Sequence, residues 1–263
     1  MLGAHYRVWQ NGKERKSGFR SFVVSGEMEN KRAALVTGGT RGIGNAIARR
    51  FAADGWNVAI SGRTLESVRT ALAAFQKDGL GVEGKSADSR KEDDVRELVE
   101  FASERFGRLD VLVNNAGIGD FEEITRLDPK DFREVVETNL FGPFYGIHFA
   151  APVMKKNGGG FIVNIGSLAS VNAFAGGCAY NASKFGLLGL SDSAMLDLRP
   201  DGIRVAIVMP GSVATGFAGG QADGDSWKLS AEDVAQAVAD LVRYPERAIP
   251  SRIEIRPSRP PRK

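Results

Sequence analysis

Residues 33–52 read Ala33-Ala34-Leu35-Val36-Thr37-Gly38-Gly39-Thr40-Arg41-Gly42-Ile43-Gly44-Asn45-Ala46-Ile47-Ala48-Arg49-Arg50-Phe51-Ala52. The first five residues suit a strand, and Ala46, Ile47, Ala48, Phe51 and Ala52 recur as on one side of a helix. Between them lie four glycines in seven positions. Spaced glycines alone mark only a tight turn. Set between a strand and a helix, they bring free backbone N–H groups and the positive end of a helix dipole to one point, an arrangement suited to a dinucleotide pyrophosphate. Gly38, Thr40, Arg41, Gly42, Ile43 and Gly44 are therefore candidate cofactor contacts.

Outward from this loop, short β-prone runs recur at 33–37, 58–61, 82–86, 111–113, 161–165 and 205–208, separated by stretches long enough for helices. The alternation predicts βαβ units and a parallel sheet covered on both faces. Gly55, Gly79 and Gly107 punctuate the joins, and Pro152, Pro200 and Pro210 mark further expected limits. Residues 1–30 lack either period and read as an N-terminal extension, with Met28 as an alternative start; residues 31–263 read as one domain.

Composition narrows the chemistry. Cys178 is the only cysteine, and His5 and His148 are far apart, so no metal centre is expected. The pI near 9.0 comes from the ends: residues 1–32 and 252–263 together carry +8, leaving −5 for residues 33–251. Such tails read as solvated charge, with neither nucleic acid nor membrane as partner. With no run of eighteen apolar residues and a polar first thirty, neither a membrane span nor a secretory signal is read, and a cytoplasmic location is expected.

After the second strand comes Ser61-Gly62-Arg63-Thr64, without the acidic residue that would accept bonds from a ribose 2′-hydroxyl. Arg63, helped by Arg41, offers positive charge to a 2′-phosphate, so NADP(H) is the expected cofactor, although Glu66 lies close by. Asp88, after the third strand, fits either a contact near the adenine or an acidic helix cap. Farther on, Tyr180-Asn181-Ala182-Ser183-Lys184 puts a phenol and an ammonium four apart on a helix, hence on one face. Ser167 precedes them at a strand end.

The glycine loop, Asn114-Asn115-Ala116-Gly117, Asn139, Ser167, Tyr180 and Lys184, in this order, resemble the short-chain dehydrogenase/reductase family over about residues 32–256. The resemblance implies a Rossmann-type doubly wound sheet of order 3-2-1-4-5-6-7 and hydride transfer between a nicotinamide and a carbonyl or alcohol carbon. It makes Asn139, Ser167, Tyr180 and Lys184 the catalytic set: Ser167 polarising the carbonyl, Tyr180 donating the proton, Lys184 binding the nicotinamide ribose and lowering the Tyr180 pKa, and Asn139 holding a water of a proton relay. Asn114, Ala116 and Gly117 fall on the cofactor side. Pro210-Gly211-Ser212-Val213-Ala214-Thr215 resembles the nicotinamide-side loop, making Pro210, Gly211, Val213 and Thr215 further contacts. A homodimer or homotetramer is implied as well.

The chain departs from acyl-carrier reductases at its end, which reads Arg252-Ile253-Glu254-Ile255-Arg256-Pro257 in place of a Val-Asp-Gly-Gly-like segment. About twenty residues between Pro210 and the helix signal Ser230-Ala231-Glu232-Asp233 read as a mobile lid. Cys178 is open to two readings, facing the substrate or buried as a small thiol. A nucleotide-binding scaffold that has lost catalysis is the alternative function; the complete Asn139/Ser167/Tyr180/Lys184 set favours the enzyme.

Overall fold

Buried β-prone runs alternate along the chain with amphipathic helices, and the parallel pairing of the former builds the molecule. The computed structural model describes Val8–Trp9, residues 31–217 and residues 227–260. In chain order the elements are β1 (Val8–Trp9), β2 (Ala33–Val36), α1 (Gly42–Ala53), β3 (Asn57–Gly62), α2 (Leu65–Lys77), β4 (Val82–Ser86), α3 (Glu92–Phe106), β5 (Val111–Asn114) and α4 (Pro129–Val136). There follow α5 (Gly142–Lys156), β6 (Gly160–Ile165), α6 (Cys178–Leu198), β7 (Ile203–Pro210), α7 (Ala231–Leu241) and β8 (Arg252–Ile255).

Every pairing is parallel, and the sheet runs β1-β4-β3-β2-β5-β6-β7-β8. Counted from β2 as the first, the seven main strands follow the expected order 3-2-1-4-5-6-7. β2, β3 and β5 are buried along their whole length, so their sequences run apolar without alternation, as a sheet covered on both faces requires. On one face Phe51, Ile60 and Phe75 pack with α1, α2 and α7; on the other Leu98, Leu112, Ile147 and Met154 pack with α3, α5 and α6. The chain turns left from β2 to β3 and right from β2 to β5, which leaves a crevice beyond the carboxyl ends of those strands.

Local chemistry explains the helix starts. Thr64 accepts from Ser67 N at 3.2 Å to cap α2, and Ser230 and Asp233 form a reciprocal capping box at α7, as its sequence signals. Gly55, Gly79 and Gly107 take left-handed φ values of 85°, 74° and 72° at the joins. Pro152 departs from expectation. Rather than ending a helix, it lies inside α5, which continues to Lys156. The lost N–H bond is tolerated because Ala150 and Met154, on either side of it, are wholly buried and hold the last turn against the sheet. Of the N-terminal extension, only Val8–Trp9 is described; it pairs with the edge strand β4. Part of the expected lid, residues 218–226, lies outside the described residues. No helix among the described residues is long and apolar enough to cross a membrane.

Candidate active site

The glycine loop occupies the crevice. Gly38, at φ 63°, permits the turn, and a Cβ there would stand 2.9 Å from Ala116 Cα. A Cβ on Gly44 would come within 2.5 Å of the Gly38 carbonyl oxygen, so only a bare backbone brings the start of α1 this close to the loop. α1 begins after extended Arg41 without a side-chain cap and without an acid in its first turn. The other helices of the sheet's first half differ: α2 has the Thr64 cap, and α3 carries Glu92, Asp93 and Asp94. The N-terminus of α1 thus keeps its donors and its positive dipole end for an anion.

Thr37 clamps this loop to the end of β5. Its Oγ1 accepts from Asn115 N and Ala116 N, both at 3.0 Å, while Asn115 Nδ2 donates to the carbonyls of Thr37 and Gly38 at 2.9 and 3.1 Å. Neither role was evident in the sequence, although Thr37 directly precedes the glycines. Beside the loop a cleft of about 500 Å³ is lined by Thr40, Arg41, Asn45, Thr64 and Ser67. Arg63, two-thirds exposed, directly follows β3 and has Glu134 at 3.8 Å as an ionic neighbour. Glu134 is held more closely by Arg90 at 2.8 Å. Arg90 also grips both carboxylate oxygens of Asp88, and its side-chain hydrogen bond holds that carboxyl below its ordinary pKa. Asp88 is therefore already engaged by a neighbour two residues on.

Thr215 comes close to the glycine turn from the other side: a Cβ on Gly42 would meet Thr215 Cγ2 at 3.5 Å. The loop carrying it is anchored by Gly211 N donating to Ile255 O at 2.8 Å and by a bridge between Val213 and Leu229. Pro210 ends β7. The span from the glycine turn to Pro210–Thr215 therefore lies over one end of the sheet.

Asn114 is turned away from this mouth. Its Nδ2 donates to Asn164 Oδ1 at 2.8 Å, Asn164 Nδ2 donates to Ser191 Oγ at 2.9 Å, and the Ser191 hydroxyl donates to Leu187 O at 2.6 Å. This buried chain ties β5, β6 and α6 together. Asn164 and Ser191 were not singled out in the sequence, yet the β5–β6 register sets Asn114 directly against Asn164.

Asn139 sits in a π-helical turn, Glu137–Phe141, wedged between α4 and α5. Such turns recur at functional sites because they shift the helix ladder by one residue. Its fully buried amide donates to Ile118 O at 2.8 Å and Ser183 Oγ at 3.0 Å, and its Oδ1 accepts from Ile118 N at 2.9 Å. Both amide hydrogens are committed, so the side chain fastens the loop after β5, with Ala116 and Gly117, to α6. A Cβ on Gly117 would already touch Asn139 Oδ1 at 3.2 Å.

Ser167, Tyr180 and Lys184 converge. Ser167 caps a short 3-10 turn by accepting from Ala169 N at 3.1 Å, and its side chain lies near enough to Tyr180 to act on the phenol. The Lys184 ammonium donates to Ile165 O at 2.8 Å and lies 5.7 Å from the Tyr180 ring centroid. Burial pushes Lys184 from 10.5 down to about 8. Burial also pushes Tyr180 up, and Ser167 only partly opposes this. Desolvation in the protein thus outweighs the lowering that the resemblance implied for Tyr180. Cys178, two residues before Tyr180, is a partly buried free thiol.

Three phenylalanines missed in the sequence surround Tyr180. Phe121, Phe217 and Phe174 have ring centroids 5.6, 5.8 and 6.4 Å from its own. They come from separate loops, so no local pattern could have grouped them.

The short chain dehydrogenase family profile matches residues 32–225. A 3alpha-hydroxysteroid dehydrogenase of Mediterraneibacter gnavus is 36% identical over 190 residues, covering 72% of this chain and 76% of that protein. An alcohol dehydrogenase of the archaeon Thermococcus sibiricus, solved with 5-hydroxy-NADP, superposes with a TM-score of 0.81 at 29% identity over 88% of this chain and 99% of that one. A short chain dehydrogenase of Burkholderia cenocepacia, solved with NADP, gives 0.77 at 35% identity over 86% and 96%. With the glycine turn, the crevice and the Ser167–Tyr180–Lys184 cluster on one parallel sheet, the chain belongs to the short-chain dehydrogenase/reductase family of oxidoreductases.

Proposed function

We propose that this protein is an NADP(H)-dependent carbonyl reductase, also able to oxidise the matching secondary alcohol, with Tyr180 as its acid/base. The observation that carries the reading is the convergence of Ser167 and the buried Lys184 ammonium on Tyr180. When bound, the nicotinamide supplies or takes up the hydride at the substrate carbon. The uncapped start of α1 and the glycine backbone suit its pyrophosphate, and Arg41 and Arg63 suit a 2′-phosphate. Glu134, at 3.8 Å, is too distant to tie Arg63 down, and the NADP complexes of the two structural relatives support the same preference. Ala116, Gly117 and the Pro210–Thr215 loop would flank the nicotinamide half.

The polar groups divide the work. Ser167 accepts its capping bond from Ala169, which leaves its hydrogen to hold a substrate carbonyl oxygen as negative charge develops there. Tyr180, kept protonated by burial, gives that oxygen its proton. Lys184, near pKa 8, is mostly cationic at neutral pH, and donors beyond the one given to Ile165 remain for a ribose hydroxyl. A relay through Asn139 would use its main chain, since its side-chain hydrogens are spent. The exposed apolar side chains of Phe144 on α5 and Phe185 and Leu196 on α6 support self-association as a dimer or tetramer.

Tyr180→Phe tests the reading. It removes one hydroxyl and little volume, so NADPH affinity and melting temperature should hold while reduction of a carbonyl substrate falls by roughly 10²-fold or more, the scale of a lost general acid. Full turnover in Tyr180→Phe, followed by nicotinamide absorbance, would refute the mechanism, whereas NADPH binding without turnover of any carbonyl substrate by the unaltered protein would leave a nucleotide binder of the same fold.

A further inference from the structure

The rings around Tyr180 stay open although they are large and apolar. Phe121 is 48% exposed, Phe174 45% and Phe217 39%. Phe121 meets the Tyr180 ring edge-on at an interplanar angle of 77° and the Phe174 ring at 62°, so apolar ring surface is gathered around the residue that would protonate a substrate. They are held in place rather than loosely splayed. A Cβ on Gly119 would strike Phe217 at 2.8 Å and Phe121 at 2.9 Å, and one on Gly177 would strike Phe174 at 2.6 Å, so the rings lie directly on backbone. A bridge between Glu122 and Gly177 joins two of the three loops.

Charge at this mouth is one-sided. The segments 166–177 and 211–217 contain no Lys, Arg, Asp or Glu. The loop after β5 carries Asp120, Glu122 and Glu123, and its one basic residue, Arg126, is paired with Glu122 at 2.8 Å and Glu123 at 3.0 Å. Within residues 115–128, 166–177 and 211–217 there is no spare cation to receive a carboxylate or phosphate. Resting on the reductase reading of Tyr180, we propose that the substrate is a neutral ketone, or the matching secondary alcohol, whose carbonyl is borne on a flat apolar ring system that lies against Phe121, Phe174 and Phe217. Polyanionic acyl thioesters are disfavoured by the same acidic rim.

The experiment measures kcat/KM with NADPH for α-tetralone, a neutral bicyclic ketone, for butanone, and for acetoacetyl-CoA. α-Tetralone should exceed each of the others by at least about tenfold, the scale of one or two ring contacts. Phe121→Ala and Phe174→Ala should each lower the tetralone-to-butanone ratio several-fold, mainly through KM. NADPH fluorescence and melting temperature, read on the same samples, report whether each variant is folded. If acetoacetyl-CoA is used as well as α-tetralone, or if the ratio survives both substitutions in folded protein, the substrate class is wrong while the reductase stands. If none of the three is reduced by protein that binds NADPH, the reductase reading fails and the substrate class falls with it.

Discussion

The two ends of the crevice are fixed by different kinds of contact. At the glycine turn, Thr37 and Asn115 bond to main-chain atoms, and the fit depends on backbone with no room for a Cβ. Around Tyr180 the wall is made of phenylalanine side chains from three loops, each with much of its surface open. The first arrangement suits a ligand whose shape never varies, and the second can be recast one side chain at a time without disturbing the sheet. Lys184 stands between them, with its stem buried beneath Tyr180 and its ammonium tied to β6 through Ile165 O.

Removing that shared group should break the comparison most severely. Lys184→Ala should cost turnover at least about 10²-fold and weaken NADPH binding as well, whereas Tyr180→Phe should spare binding. Separate titrations of NADPH fluorescence and initial rate distinguish the two. The same variant changes the dependence of stability on pH. Because Lys184 sits near 8 in the folded protein against 10.5 ordinarily, the unfolded chain holds more protons between these values, and the folded state gains stability as pH rises through that window. The gain is at most about 3 kcal/mol for such a shift. The raised Tyr180 phenol acts in the opposite sense from about pH 10 upward. Denaturant melts of the wild type should show the rise from pH 8, and those of Lys184→Ala should lack it.

Thr37→Val would loosen the backbone end alone. It leaves Asn115 N and Ala116 N without their acceptor, a loss of about 1–3 kcal/mol for buried donors, and it should weaken NADPH binding more than it lowers the rate at saturating cofactor. Equal effects on both would mean that the clamp does not serve the cofactor end specifically. Arg63→Asp should change only the choice between cofactors: NADPH affinity falls by roughly tenfold and NADH gains relative to it, since a carboxylate repels a 2′-phosphate. Smallest of all, a chain beginning at Met28 should keep its fold and turnover, although among the described residues it loses the two-residue β1 at the sheet edge. A large loss on that deletion would make residues 1–27 part of the domain.

What the sequence made legible was local. The strand, glycine turn and start of α1 lie within about twenty consecutive residues, so periodicity exposes them directly, whereas Tyr180 and Lys184, one helical turn apart, are a commonplace spacing that took its meaning from the family resemblance. The seven-strand order needed the family resemblance, because β-pairing joins distant segments. The phenylalanine wall and the Arg90–Asp88 pair were hidden for different reasons. The first unites loops some fifty and forty residues apart; the second lies only two residues apart, and a carboxylate after a strand reads equally as a ligand contact, a cap or an ion pair until its partner is seen. Pro152 misled because its usual meaning was overridden by the burial of its neighbours.

The buried chain from Asn114 to Leu187 has a direction. A main-chain carbonyl can only accept, so Leu187 O obliges the Ser191 hydroxyl to point at it; Ser191 Oγ must then receive from the Asn164 amide nitrogen, and Asn164 Oδ1 from that of Asn114. The orientation of two side-chain amides, ordinarily free to flip, is thereby dictated from one end. The other end inherits the remainder: Asn114 Oδ1 has no hydrogen-bond partner in the structure and faces Gly146, where a Cβ would collide with it. The chain thus behaves like a row of arrows that ends on Leu187 O and whose tail, Asn114 Oδ1, receives no arrow; the missing side chain at Gly146 is the space in which that tail is tolerated. An alanine there would press a methyl group onto a dehydrated oxygen that cannot rotate away without disturbing every arrow ahead of it, up to the helix that carries Tyr180 and Lys184.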